Sequence, residues 1–595
     1  MDIELEKGIN DAIEYLKHIS ADSVVEQLAD PIAKMMLVSL MHECQKIRDY
    51  VDGLGDKIVE KFCEDFIPRR EVEAMPAISI VKAQFKAKKD AETQKIVNNV
   101  TFTYKVDSKT SLTYLPLFKN LLIPESDLFL LTRNFLRRGA NVYEVALDED
   151  NVLWVGIETN AELESLQGFS FLLKGTGGVI PEQIYVADTS RQLEFVDMSR
   201  CEEIEMAEPF DIHQASSRIF SIVENWRDLM LDLEDSALIS ITSSLTDRDA
   251  FKKVKYPRSF QKWLETEKLG VFPDSVLWLK LTFPKGYVVP DDCAIEINAI
   301  PVVNVDVNTV TLTQSSPIAK LQQKDDSFFL HVLETSNSAY KQGFNMNEDE
   351  IIIRDFDASC YNDGNLYRDV RNLYNRFIDD YYAFIEYNGI KDGETIRTLR
   401  ETINRLGKSV GTQNSKYKFD SGTYVMKNMS VVPISSSTKV SFLTTMGKMG
   451  NVLKVGDTLD NKKMPFLEKE LKVLVPAMGG TDKCSADEKY ELLRYYSMTN
   501  DRLYTPKDVE AFIRKELISE FGKTEFRRIF INIRIGGTPG ASQLVRGLYI
   551  DISFKDKKNY ERALSGMFDK RVYKKIINRS CISMPISIDL INTEE

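Results

Sequence analysis

The chain has 595 residues, 43% hydrophobic and 28% charged, with 77 Lys and Arg against 90 Asp and Glu for a formal net charge of -13. That length exceeds one hydrophobic core, implies about four domains, and buries enough surface to fold without disulfides or metals. The acidic balance, unbroken by a long basic run, excludes nucleic acid as the main partner, because phosphate neutralisation needs clustered positive charge.

The opening MDIELEKGINDAIEYL is acidic and amphipathic and has no apolar signal core. No window approaches the ~18 uncharged apolar residues of a membrane span, so the chain is expected in the cytoplasm, with no direct membrane insertion. Between Pro31 and Phe66 apolar residues fall at Leu37, Leu40, Cys44, Ile47, Val51, Leu54, Ile58 and Phe62. Steps of three and four predict a long helix with one apolar seam. Asp30 caps it, Pro31 takes its first position and Pro68 ends it, while Gly53 and Gly55 each weaken its middle by ~1 kcal/mol.

The exit reads FIPRREVEAMPAISIVKAQF, with an arginine pair at Arg69 and Arg70 before a short apolar run. Arginines there can fork onto a partner's carboxylates or satisfy the last helical carbonyls. Pro76 biases Met75 toward extended backbone. The period then falls to two at Val100, Phe102, Tyr104 and Val106, as in a half-buried strand. VYEVAL, DEDN and VLWVGIE, from Val142 to Glu158, predict a hairpin across a polar turn. KGTGGV at 174–179 lacks the Gly-Lys-Ser/Thr ending of a phosphate loop and reads as a turn.

SVLWLKLTF and CAIEINAIPVVNVDVNTVTL are further strands, Pro301 marking an edge or a bulge in the second. Asn304, Asp306 and Asn308 share one face, read as the wet one. In RDFDASCYNDGN, the carboxylates Asp355, Asp357 and Asp363 have the chemistry of a hard-cation site, but Cys360 stands where a calcium loop needs glycine. A solvated loop capping the next helix is the preferred reading. Leu366 to Leu406 returns to helical spacing as a hairpin rich in Tyr374, Phe377, Tyr381, Tyr382 and Phe384, a composition that fits core packing and a protein interface equally. MSVVPISSSTKVSFLTT is β again, and MGGTDKCSADE reads as a loop. TPKDVEAFIRKEL then opens a helix on Thr505 and Pro506, followed by strands FRRIFINIRI and VRGLYIDISF separated by the turn GGTPGASQ.

The predicted fold is a multidomain α+β chain: N-terminal long helices, several antiparallel sandwich-like β domains, an inserted helical hairpin and a C-terminal α/β unit. Boundaries are expected at 1–70 for the helical bundle element, 71–210 and 211–355 for two β-rich domains, 356–410 for the Tyr-rich hairpin, 411–483 for a β segment and 484–595 for the C-terminal α+β unit.

Catalytic templates fail along the whole length. The four histidines, His18, His42, His213 and His331, have no metal or triad spacing, and no nucleophile elbow is present. The seven scattered cysteines form no CxxC pair and read as free thiols. No catalytic, cofactor-binding or metal-binding residue is predicted and no cofactor is expected. The expectation moves from enzyme to assembly component.

In order along the chain, an Asp-Pro helix carrying HECQKI, then DKIVEKFCEDFIPRREVEAMPAISIV with Pro68, Met75 and Pro76, resembles the TssF family of type VI secretion baseplate wedge proteins. ELESLQGFSFLLKG after VLWVGIE, the Pro-Val-Val-Asn element of Pro301 and Asn304, and the Arg-Gly strand of Arg546 and Gly547 are similar to later family elements. TPKDVEAFIRKE is similar to a helix start of phage baseplate wedge proteins, while the N-terminal 30 residues depart from the family's opening. The motifs are short, but they are collinear over nearly the whole chain.

The resemblance implies a non-enzymatic structural subunit that forms a homodimer within the wedge and pairs with a TssG-like subunit. It also implies contacts with a TssK-like adaptor, a TssE-like sheath initiator and the spike or hub, with docking at the inner-membrane complex on assembly. Candidate interface residues are Leu40, Ile47, Val51, Leu54, Ile58, Phe62, Arg69 and Arg70, together with the Tyr-rich hairpin. The alternatives are a wedge protein of a phage tail or extracellular injection particle, and a carbohydrate-active enzyme using Asp355 and Asp357.

Overall fold

The structure, a computed structural model, describes residues 66–85, 95–108, 110–124, 127–186, 191–200, 204–211, 216–233, 235–246, 251–264, 272–322, 324, 326–338, 351–356, 394, 397–398, 401–403, 405, 420–428, 435–461, 464, 470–484, 486–537, 546–565, 568–580 and 584–593. The predicted helix from Pro31 to Phe66, apart from its last residue, and nearly all of the Tyr-rich hairpin lie outside them. The described residues are mostly β, in several antiparallel sheets. Contacts divide the chain into two units, Glu73–Lys483 and the combination of Met1–Val72 with Cys484–Glu595.

The larger unit contains a closed barrel of six strands, in order Ile78–Lys82, Ala299–Val303, Ser111–Pro116, Phe102–Lys105, Thr458–Asn461 and Glu470–Met478. Val81, Phe102, Tyr114, Ile300, Val302 and Val473 cluster on one side of its wall. Ile78, Ile80, Leu115, Val303 and Val475 pack on the other with Ile219, Ile222 and Trp226 of the helix Ser217–Asp232. Burial on both faces explains why Ile78–Lys82 and Ala299–Val303 read as continuous apolar runs, while Phe102–Lys105, less deeply buried, alternates.

A sandwich stands beside the barrel in the same unit. Its seven-stranded sheet includes Asp127–Leu131, Val152–Glu158 and Val276–Thr282, and its four-stranded sheet includes Ser170–Lys174, Ser236–Ile241 and Ala294–Ile297. Leu153, Val155, Ile157, Leu277 and Leu279 meet Phe171, Leu173, Ile239 and Ile295 between them. The reverse face of the larger sheet holds an aromatic cluster of Phe129, Trp154, Phe260, Phe272 and Trp278. A Cβ on Gly156 would lie 2.8 Å from the Trp278 ring, so this strand takes glycine for close approach.

Several expectations are corrected here. Val142 to Glu158 is not a hairpin: Asn141–Glu144 pairs back onto Phe135–Arg138, while Val152–Glu158 lies between Asp127–Leu131 and Val276–Thr282. Gly139, at φ +53°, supplies the left-handed residue that a two-residue hairpin loop needs. The polar stretch at 148–151 is used in long-range contacts instead, Asp150 with Arg133 at 2.7 Å and Glu149 with Lys280 at 2.8 Å.

The run from Cys293 to Leu312 is three strands, Ala294–Ile297, Ala299–Val303 and Asp306–Leu312, each in a different sheet. Pro301 is neither on an edge strand nor at a bulge, since its strand is paired on both sides. Its carbonyl accepts from Leu117 N at 2.9 Å, just past the end of Ser111–Pro116. The carbonyl and amide positions of an antiparallel residue point the same way, so the missing N–H falls where that ladder stops. The helix Ser217–Asp232, within a segment expected to be β-rich, was not anticipated.

In the other unit, the helices Ala486–Thr499, Pro506–Phe521, Lys557–Ser565 and Phe568–Arg579 accompany a sheet of Ile529–Gly537, Arg546–Phe554 and Ile586–Asn592. Gly536 and Gly537, expected in a turn, are the last residues of the first strand. The second and third strands run parallel, and the two helices between them make the crossover that parallel pairing requires. Leu548, Ile550, Ile552 and Phe554 bury one face against helical residues including Phe512, Leu517, Val572 and Ile576. Thr505 caps the helix Pro506–Phe521 in a reciprocal box with Asp508, as its sequence predicts.

Candidate functional site

The residues singled out in the sequence gather, where the structure describes them, at joints between elements. The most complete joint is the path from Ala294 to Leu312. Asn298 has φ +56°, a conformation asparagine tolerates better than most residues, and turns the chain from one sheet into the barrel. Its carboxamide holds both backbone groups of Ile123, accepting from N at 2.9 Å and donating to O at 2.8 Å.

Asn304 makes the second corner and is 1% exposed. Its backbone N–H donates to Ala77 O at 2.7 Å and its Nδ2 to Thr113 O at 2.9 Å. Its Oδ1 accepts from Met446 N at 3.1 Å and Thr445 Oγ1 at 3.3 Å. A Cβ on Gly450 would meet Asn304 Oδ1 at 2.7 Å, so that glycine makes room for the carboxamide. The wet-face expectation for Asn304, Asp306 and Asn308 is therefore overturned. Asn308 is also buried, donating to Thr444 Oγ1 at 2.7 Å, and Asp306 is half-buried.

Asp306 lines a small cavity with Thr113, Asn304, Lys324, Ser327 and Thr444. Burial pushes its carboxyl above the usual range, partly opposed by the Lys324 ammonium and the Val307 N–H. The cavity has about 10 Å³ of usable space, about one water molecule, whereas ligand pockets run from roughly 300 Å³. It can hydrate the joint but cannot seat a substrate.

The second joint is the stretch from Phe66 to Val81. Pro68 does not lead directly into extended chain, because one more helical turn, Arg69–Val72, follows it. Ile67 is buried with Tyr495, Phe512 and Ile513. Glu71 pairs with buried Lys515 at 3.0 Å, and the Lys515 ammonium lies 5.3 Å from the centre of the Tyr495 ring. Cys484 donates to Val72 O through its N–H and to Glu71 O through its thiol, both at 2.9 Å. Further along, in the larger unit, Met75 and Thr481 exchange backbone bonds of 2.9 and 3.0 Å, which realises the extended geometry expected before Pro76. Arg218 pairs with Glu73 and donates to Ala74 O at 3.1 Å.

Behind Lys515 lies a charge network. Burial alone would raise the Glu516 carboxyl, but the ammonium groups of Lys575 and Lys515 overcome that and hold it down to about 2. Lys575 reaches Glu516 at 2.8 Å, and Arg579 reaches Asp501 at 3.1 Å. Nothing in sequence spacing pairs these residues.

Of the remaining predicted residues, Arg546 is exposed at a strand end, opposite Gly537. Gly547 sits in close contact, since a Cβ there would lie 3.0 Å from Pro585 O. Arg69 and Arg70 are placed by their backbone alone, in the helical turn. Leu40, Ile47, Val51, Leu54, Ile58, Phe62, Tyr374, Phe377, Tyr381, Tyr382 and Phe384 lie outside the described residues, as do Asp357 and Asp363. Asp355 accepts from Thr423 Oγ1 at 2.6 Å and pairs with Lys483 at 2.9 Å. Cys293 is buried and its thiol is pushed up to about 11 by that burial, which makes it a poor nucleophile. Among the described residues no cluster of three or more His, Cys, Asp or Glu has metal-site geometry, and no helix is long and apolar enough to cross a membrane.

No protein-family model and no curated protein matches the chain. The chain aligns with a chain in a cryo-electron microscopy structure of a type VI secretion system TssK-TssF-TssG baseplate subcomplex, at 10% identity and TM-score 0.41, covering 94% of this chain and 96% of that one. A chain in a type VI secretion baseplate complex aligns at 10% identity and TM-score 0.36, covering 100% and 97%. A chain in the anti-feeding prophage baseplate aligns at 9% identity and TM-score 0.28, covering 98% and 70%.

Proposed function

We propose that this chain is a TssF-like structural subunit of a type VI secretion baseplate wedge, non-enzymatic and cytoplasmic. It pairs with itself and with a TssG-like subunit, and meets a TssK-like adaptor, a TssE-like sheath initiator and the spike or hub when the baseplate docks at the inner-membrane complex. The observation that carries the reading is the collinear order of the motifs, from the Asp-Pro helix to the Arg-Gly strand.

The roles of the motif residues support it. Asn304 ties three segments at a sheet corner, Met75 exchanges backbone bonds with Thr481, and Gly547 admits the carbonyl of Pro585. These are architectural roles, as expected of residues shared by scaffolds. For Asp355 the contacts are to Thr423 Oγ1 and Lys483, in keeping with a structural role and not a hydrolytic one with Asp357. Alanine at both positions should leave effector delivery intact.

The test is recovery of the tagged chain from its own cells under mild conditions. TssG-like and TssK-like subunits are expected in the eluate at near-stoichiometric amounts. Recovery of the chain alone, with no tail component, would end this reading.

A further inference from the structure

In the sheet of Ile529–Gly537, Arg546–Phe554 and Ile586–Asn592, the first strand is an edge, and among the described residues no strand pairs with its outer side. The bonds around the middle strand show which backbone groups point outward. Thr593 N donates to Phe554 O at 2.9 Å and Leu548 N to Pro585 O at 2.8 Å, so the groups of Leu548, Ile550, Ile552 and Phe554 face the third strand. The alternate residues face the edge strand, where Phe530, Asn532, Arg534 and Gly536 stand opposite them. The N–H and C=O groups of Ile529, Ile531, Ile533 and Ile535 therefore point out of the sheet, an open template for another strand.

The side chains of the same four isoleucines share one face of the strand. Ile529, Ile531 and Ile533 pack on the core beneath the sheet, while Ile535, past its end, is 43% exposed. The run Ile-Phe-Ile-Asn-Ile-Arg-Ile, from 529 to 535, thus places isoleucines symmetrically about Asn532. An antiparallel copy with its two-fold axis at Asn532 sets Ile529 against Ile535 and Ile531 against Ile533, each twice. A register centred on Ile531 instead leaves Ile535 against Arg527 and sets Arg528 against Arg534, and one centred on Ile533 leaves Ile529 against Gly537.

We propose that the edge Ile529–Gly537 pairs with the same edge of a second copy of this chain, joining two three-stranded sheets into one of six strands about a two-fold axis at Asn532. The outward backbone groups call for a strand, and the symmetric isoleucine pattern selects the occupant, because only in the register centred on Asn532 does every isoleucine of one edge meet an isoleucine of the other. Ile535, exposed in the single chain, is covered by Ile529 of the second copy. The proposal deepens the reading that the chain pairs with itself, on which it rests, by naming the surface and its register.

The test is disulfide trapping in the full chain, oxidised in its own cells with copper phenanthroline, with the wild type and its seven native cysteines as background. Residue 532 faces its own copy in a non-hydrogen-bonded pair, where Cα atoms lie roughly 4.5 Å apart, within disulfide reach. Asn532→Cys is expected to give a reducible product at twice the chain mass. Phe530→Cys alone should not, because the two copies of residue 530 are about 13 Å apart along the strand, whereas Phe530→Cys co-expressed with Arg534→Cys should. Adding Ile535→Lys to Asn532→Cys should cut the product roughly tenfold with unchanged thermal melting, as a charge on an edge strand does. An Asn532→Cys yield no higher than wild type, an equal yield from Phe530→Cys alone, or a disulfide to a different protein in its place would overturn the proposal. Two copies in native mass spectrometry without the Asn532→Cys disulfide refute this edge and leave the self-pairing reading standing, whereas a single copy in every complex removes both.

Discussion

Removing the carboxamide of Asn304 should leave Thr113 O and Met446 N buried without their partner at the corner between barrel and sheet. Asn304→Ala is expected to destabilise the larger unit by about 2–4 kcal/mol, since each stranded buried group costs about 1–3 kcal/mol. All four tryptophans, Trp154, Trp226, Trp263 and Trp278, lie in that unit, so intrinsic fluorescence during urea unfolding reads it selectively. The sequence showed that Asn304, Asp306 and Asn308 share a face but not which face meets solvent. Period-two spacing is symmetric in that respect, and the polar partners Thr444 and Thr445 come from a distant strand.

At Glu516 the prediction concerns pH. Its carboxyl is held down to about 2 in the folded chain, below the ordinary value of about 4.3, so its stabilisation is complete above the unfolded value and lost as pH falls toward 2. The stability difference between wild type and Glu516→Gln should therefore be on the order of 3 kcal/mol at pH 7 and shrink from about pH 5 to about pH 2. Amide exchange in the helix Pro506–Phe521 measures it, and a difference independent of pH would contradict the assignment. Glu71 was not foreseen as the partner of Lys515, because nothing local in either segment records a pairing made only by tertiary packing.

Among elements, the corner at Asn298 separates conformation from hydrogen bonding. Asn298→Gly keeps φ +56° accessible and strands only the two buried groups of Ile123, at about 2–4 kcal/mol, whereas Asn298→Ala adds about 1–2 kcal/mol of left-handed strain. Unfolding midpoints from tryptophan fluorescence should rank wild type above glycine above alanine. Equal losses would show that backbone strain is not at issue.

Strand and helix signals were legible where local chemistry dominates, as at the Thr505 cap and in the run Val276–Thr282. They failed where a corner sits inside an apolar run, since Asn298 and Asn304 interrupt Cys293 to Leu312 without any glycine to announce a turn. The hairpin was misplaced because the charged stretch at 148–151 outweighed Gly139, the residue that makes the turn. The helix Ser217–Asp232 carried its own signal, Ser216 as cap and Ile219, Ile222, Trp226 and Leu229 on one face.

Over the whole molecule, the chain passes out of one unit at Val72 and returns to it at Cys484. Such a discontinuity is invisible to a reading that proceeds along the chain. Ile67 and Val72 pack with residues beyond Tyr495, and only the fold shows that FIPRREV belongs with them. The prolines and the change of period fall within the stretch where the chain passes from one unit to the other. The proposed partner-binding role rests on the motifs, and it makes one demand of the intact protein. Co-expression with a TssG-like subunit from the same cells, followed by native mass spectrometry, tests it most directly. The account predicts a stable complex containing two copies of this 68.1 kDa chain together with the TssG-like subunit. A strictly monomeric chain that leaves the TssG-like subunit unbound would contradict it.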